Sequence, residues 1–193
     1  NNDGTDTIGL YDPSSGTFFL RNSNSSGVAD ITFTFGAGGG TISAITGDWN
    51  GDGTDTIGIY DSSSGAFFLK NSNSSGAADL TFVFGAGAAT PLAGDWNGDG
   101  TDTVGLYNPA TGVFFLKNSN AGGAADLVFT YGAPGAVPVT GDFDNNTTDT
   151  IGIYVPATGA FFLKNSNSAG SADVVYVYGS PGLTPMMGDW DGL

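Results

Sequence analysis

Gly47-Asp-Trp-Asn-Gly-Asp-Gly-Thr-Asp-Thr56 recurs without change from Gly94 to Thr103. Altered copies begin at Gly141, as Gly-Asp-Phe-Asp-Asn-Asn-Thr-Thr-Asp-Thr150, and at Gly188, so the step is a constant 47 residues. A second motif, Phe-Phe-Leu followed by Lys or Arg and Asn-Ser-Asn, stands at Phe18, Phe67, Phe114 and Phe161, with a first interval of 49 residues. Self-similarity at such a period marks a repeat architecture, which has to be recognised before any other reading is made. The copies run approximately over residues 1–47, 48–94, 95–141 and 142–188, and residues 189–193 complete the first. Residues 1–193 therefore read as a single repeat domain.

Within the second copy, four short apolar segments at 56–60, 66–71, 79–84 and 90–93 are separated by clusters of Gly, Ser, Asn and Asp. Alternation of β-branched and aromatic residues between turn residues predicts strands. No window carries a sustained helical period, and 33 glycines oppose helix throughout. Four strands in a repeat of this length predict a blade, hence an all-β propeller of four blades. An open β-solenoid and half of a larger ring are the alternatives. Both faces of a blade pack on neighbours, so the adjacent Phe67 and Phe68 are both expected inside, on opposite sides. The loop motif is split between the chain ends, with Asp189 and Asp191 at one and Asp3 and Asp6 at the other. The termini are therefore expected to meet at a shared loop, within one chain or by self-association between chains.

Composition narrows the function. The chain has no Cys, His, Glu or Gln; all 19 acidic residues are Asp, and the net charge is −15. Four basic residues cannot build the surface that a nucleic-acid backbone requires, and no apolar run is long enough to insert in a membrane. Cations are the expected ligands. Without His, Cys or Glu the common general bases and nucleophiles are missing, and the repeats are nearly uniform where catalysis needs one distinct place. The chain is expected not to be an enzyme.

In the loop from Asp48, oxygen side chains fall at positions 1, 3, 5 and 8: Asp48, Asn50, Asp52 and Asp55. Gly53 turns the backbone at position 6, and Thr54 at position 7 offers its carbonyl. Alternate residues of a tight loop converge on one centre, and hard oxygen ligands in that number suit calcium. The third loop repeats the set with Asp95, Asn97, Asp99, Thr101 and Asp102. The fourth has Asp142, Asp144, Asn146, Thr148 and Asp149, with Thr147 in place of Gly, and is expected to bind more weakly. The split loop would use Asp189, Asp191, Asp3 and Asp6. Ordinary turn chemistry also favours Asp and Asn, but it does not explain 13 of 19 Asp residues in one loop type.

These loops, with Phe35-Gly36 and Phe84-Gly85, resemble the FG-GAP and VCBS-type repeats of integrin α-subunit propellers and bacterial surface proteins. The family pattern is Asp-x-Asp/Asn-x-Asp-Gly-x-x-Asp with the last Asp at position 9; here it stands at position 8, and position 9 is Thr56. The resemblance implies calcium as ligand, an extracellular or cell-surface location, and a structural or adhesion role toward an extracellular protein or glycan. The alternative is a multivalent lectin in which Trp49, Trp96, Phe143 and Trp190 stack on sugar rings. Buried aromatics would favour the structural module. One basic residue per copy, Arg21, Lys70, Lys117 or Lys164, precedes an Asp by nine positions, a spacing that allows a cross-strand pair.

Overall fold

The computed structural model describes residues 5–85 and 87–188. These form fifteen strands in four antiparallel sheets, with no helix among the described residues. The sheets are the four blades of a β-propeller. The first contains β1 (Gly9–Asp12), β2 (Thr17–Leu20) and β3 (Ile31–Thr34). The second is β4 (Ile42–Gly47), β5 (Thr56–Asp61), β6 (Ala66–Leu69) and β7 (Leu80–Val83). The third is β8 (Thr90–Gly94), β9 (Thr103–Asn108), β10 (Val113–Leu116) and β11 (Leu127–Thr130). The fourth is β12 (Val137–Gly141), β13 (Thr150–Val155), β14 (Ala160–Leu163) and β15 (Val174–Val177).

Blades and sequence copies are out of phase. The last strand of each copy opens the next blade as its innermost strand, and β4 lies beside β8 as β8 lies beside β12. These inner strands are edges, which is why Pro91 and Pro138 are accommodated there: a missing N–H is harmless where no further strand pairs. The offset leaves blade 1 with three strands among the described residues, where four were expected.

The paired phenylalanines divide as the packing of a propeller demands. Phe67 is fully buried with Tyr60, Phe84 and Leu106 between blades 2 and 3, while Phe68 joins Phe18, Phe35 and Ile59 between blades 1 and 2. The same exchange puts Phe114 between blades 3 and 4 and Phe115 between blades 2 and 3. Along each blade the aromatics form a chain. Tyr60 meets Phe67 at 4.5 Å between ring centroids, and Phe67 stacks on Phe82 at 5.6 Å. Such pairs each contribute about 0.5–1.5 kcal/mol beyond the area they bury.

The single basic residue of each copy belongs to this framework. Lys70, Lys117 and Lys164 are buried, and they lie 3.9, 3.8 and 3.5 Å from Asp79, Asp126 and Asp173. Arg21 pairs with Asp30 at 3.4 Å. Each Lys Nζ also donates to a carbonyl, of Ala77, Ala124 or Ser171, at 2.9 to 3.0 Å. Each Asp accepts the N–H of Asn71, Asn118 or Asn165 in turn. The spacing of nine residues is thus a closed ion pair across a strand loop.

Candidate metal centre

The Asp-rich loops join the innermost strand of a blade to the next strand, β4 to β5, β8 to β9 and β12 to β13, so all three open on the same face of the propeller. Within the second loop, Asp48 Oδ1 accepts the N–H of Asp52 at 3.1 Å and Oδ2 that of Gly53 at 2.6 Å. Asn50 Nδ2 donates to Asp52 Oδ2 at 2.9 Å, and the Thr54 N–H donates to Asp52 Oδ1 at 2.9 Å. The third loop repeats this with Asp95 accepting from Gly98, Asp99 and Gly100, Asn97 donating to Asp99, and Thr101 N–H donating to Asp99. In the fourth, Asp142 accepts from Asp144, Asn146 and Thr147, and Asn146 accepts the Thr148 N–H. Positions 1, 3, 5 and 7 are therefore brought together in loops 2 and 3 and linked in loop 4 as well, where position 3 is held through the Asp144 N–H.

Position 8 goes elsewhere. Asp102 Oδ2 accepts the N–H of Asp48 at 2.8 Å, and Asp102 N–H donates back to the Asp48 carbonyl at 2.8 Å. Asp149 grips Asp95 in the same way, at 2.9 Å for each bond. The backbone oxygen of each position-8 residue is held from the other side: Asn24, Asn73, Asn120 and Asn167 donate to Asp6, Asp55, Asp102 and Asp149. Position 8 is thus a latch from one blade to the first residue of the preceding blade's loop. Spacing along a single loop carries no sign of this, because the partner lies 54 residues away. Asp3, Asp189 and Asp191 lie outside the described residues, as does Trp190; Asp6 is exposed.

Replacing Asp102 tests the latch. Asp102→Ala removes the acceptor of a part-buried N–H, and we expect a loss of about 1–3 kcal/mol. Asp102→Asn keeps an acceptor oxygen, removes one negative charge and should recover most of that loss in urea unfolding. Equal losses in the two variants would show that the hydrogen bond is not what holds the blades.

The three position-8 carboxylates Asp55, Asp102 and Asp149 are poorly compensated. Asp102 is pushed up to about 6, first by burial and then by the charges of Asp149, Asp55 and Asp48, against the opposing hydrogen bond from Asp48. Burial also raises Asp55, helped by the charges of Asp6, Asp48 and Asp149, and raises Asp149, helped by Asp95 and Asp142. The position-5 residues Asp52 and Asp99 are lowered instead, chiefly by the hydrogen bonds from Asn50 and Asn97. Among the described residues no group of three or more Asp, Glu, His or Cys side chains is arranged to hold a metal ion. Once position 8 is committed to the neighbouring blade, each loop offers two carboxylates and one amide. A carboxylate has about four lone-pair sites, of which Asp48 uses two and Asp95 three for the loop's own amides, so acceptor capacity remains for a cation.

Two other features of the loops are explained by the structure. Thr56, Thr103 and Thr150 at position 9 are buried, and each hydroxyl donates to the carbonyl of Lys70, Lys117 or Lys164 at 2.6 to 2.7 Å. An ionised Asp could not donate that bond, so Thr at position 9 is what this framework requires. Trp49 and Trp96 are buried in the blade cores, with indole N–H groups directed to the carbonyls of Ile57 and Thr103 at 3.4 and 3.1 Å.

The fourth loop is strained. Asn145 and Thr147 have φ of 59° and 70°, where the second and third loops place Gly51, Gly53, Gly98 and Gly100. A β-branched side chain is disfavoured in that region by roughly 1–2 kcal/mol. Thr147→Gly should therefore raise stability by about 1 kcal/mol, read as a higher urea midpoint at unchanged slope. A lower midpoint would mean that the Thr147 side chain makes a contact worth more than the strain.

Compared with protein-family models, with curated proteins and with solved structures, the chain matches none of them.

Proposed function

We propose that this chain is a calcium-binding propeller module with a structural or adhesive role, extracellular or at a cell surface, and without catalytic activity. The observation that carries the reading is a charge imbalance on one face. The loops gather Asp48, Asp52, Asp95, Asp99, Asp142 and Asp144 beside the latch carboxylates, while all four basic side chains of the chain are engaged with Asp30, Asp79, Asp126 and Asp173. No Lys or Arg side chain is left to neutralise that face, and a divalent ion with hard oxygen preferences is the economical counter-charge. In the second loop Asp48, Asn50, Asp52 and the Thr54 carbonyl would hold it, with water completing the shell; the third loop would use the equivalent residues. The fourth, with its strained backbone and a single Asn at position 5, would be weaker.

Burial of Trp49 and Trp96 supports the structural module over the lectin, because a ring packed in the core has no face for a sugar. The FG-GAP and VCBS-like motif supports the same reading, and with it an extracellular protein or glycan as partner. Thermal melts with calcium and with chelator test the proposal.

A further inference from the structure

Three interfaces between blades are built alike. Phe35 packs on Ile57 and Ile59, Phe84 on Val104 and Leu106, and Tyr131 on Ile151 and Ile153. All nine side chains are buried. Chain position assigns a fourth set, Tyr178 from blade 4 with Ile8 and Leu10 from blade 1, and these are 76%, 59% and 73% exposed. Tyr178 stands where Phe35, Phe84 and Tyr131 are 4%, 4% and 5% exposed, so the difference lies in the neighbour and not in the residue type.

The inner edge of the same blade is also without a partner strand among the described residues. β5, β9 and β13 each pair with an innermost strand, whereas β1 pairs with β2 alone among the described residues. Residues 184–188, Thr-Pro-Met-Met-Gly, copy the innermost strand β8, Thr-Pro-Leu-Ala-Gly, at three of its five positions. They form no strand here. Met187 nevertheless packs against the blade 4 cluster of Val139, Tyr154, Phe161 and Leu163, and it lines one cleft of about 760 Å³ together with Ile8, Gly9 and Leu20 of blade 1.

We infer that residues 184–188 add to the free edge of β1 as its innermost strand, in the same molecule, and that Tyr178 then seats against Ile8 and Leu10. The β8–β9 register, Leu92 opposite Gly105 and Ala93 opposite Val104, places Met186 opposite Gly9 and Met187 opposite Ile8. Strand addition satisfies the unpaired edge amides of β1 and removes an exposed edge that would otherwise invite another chain. The occupant is the chain's own segment because Met187 already shares the cleft with Ile8, which gives the intramolecular pairing a high effective concentration. This inference rests on strand pairing and apolar packing and is independent of calcium.

The chain has no cysteine, so an engineered pair has no background. In the double variant Ile8→Cys, Met187→Cys, mild oxidation should link the two positions within one chain, at a yield unchanged by tenfold dilution. The control pair Val28→Cys, Met187→Cys should stay at least tenfold slower. A link found only in dimers, at a yield that falls with dilution, would overturn pairing within the molecule; a yield no higher than the control would overturn the pairing itself. On the unaltered chain, amide exchange at residues 8–11 should be as slow as in β13. Exchange as fast as in the turns would also overturn it, whether or not the variants fold.

Discussion

Calcium added to chelator-treated protein should raise the melting midpoint by roughly 5–10 °C for each occupied loop at a concentration a hundredfold above the dissociation constant. A ligand bound only by the folded state stabilises it by about 2.7 kcal/mol per site at that saturation, and for a chain of this size each kcal/mol moves the midpoint by roughly 2–4 °C. The pH dependence sharpens the test. Asp102 is raised to about 6 from an ordinary 3.8, and Asp55 and Asp149 are raised as well. An acid whose folded pKa exceeds its unfolded value contributes stability that is complete below the unfolded pKa and lost as pH rises through the folded one. The lowered carboxylates, such as Asp61 held down by Ser63 and Ser64, stay ionised in both states above about pH 5 and add no slope there. Calcium-free protein should therefore melt higher at pH 5 than at pH 7.5, and calcium should flatten that slope by neutralising the face. Identical melts with calcium and chelator would sink the metal assignment and leave the loops as hydrogen-bonded turns that latch blades.

How far the residues alone lead is set by what kind of contact is involved. Strand content, the four-bladed propeller, the packing of Phe67 and Phe68 on opposite sides with Phe68 only half-buried, and the Lys–Asp pairs all follow from the repeat's periods and spacings, and all are present. Phase is different, because a repeat has a period but no origin. Nothing in the copies says that β8 closes the blade of β9 and not that of β7. The latch was hidden for a related reason: Asp102 and Asp48 are neighbours only once two blades are stacked, and loops read singly assign Asp48 to one centre and Asp102 to the next. The seam follows the same logic, since Tyr178, Ile8 and Leu10 match their counterparts in chemistry and differ in what lies against them.

Trp96→Ala should cost about 3–5 kcal/mol, the largest effect expected of a single substitution here. The indole fills the core beside Leu92, Tyr107, Phe114 and Leu116, and its removal leaves a cavity as well as a lost transfer term. It also strands the Thr103 carbonyl that the indole N–H reaches at 3.1 Å. Trp96→Phe should lose far less, on the order of 1–2 kcal/mol, because Phe143 occupies the same position in the fourth loop and only the hydrogen bond and part of the ring volume disappear. Urea unfolding monitored by far-ultraviolet dichroism reads both, with the midpoint falling at constant slope if the native state alone is affected. The pair of variants separates the two roles that an aromatic can play at this place. A core staple predicts the steep loss in the Ala variant and a modest one in the Phe variant. A sugar-stacking residue predicts little change in stability in either, with glycan binding lost in the Ala variant; that outcome would put the lectin reading ahead of the structural module despite the burial of the ring.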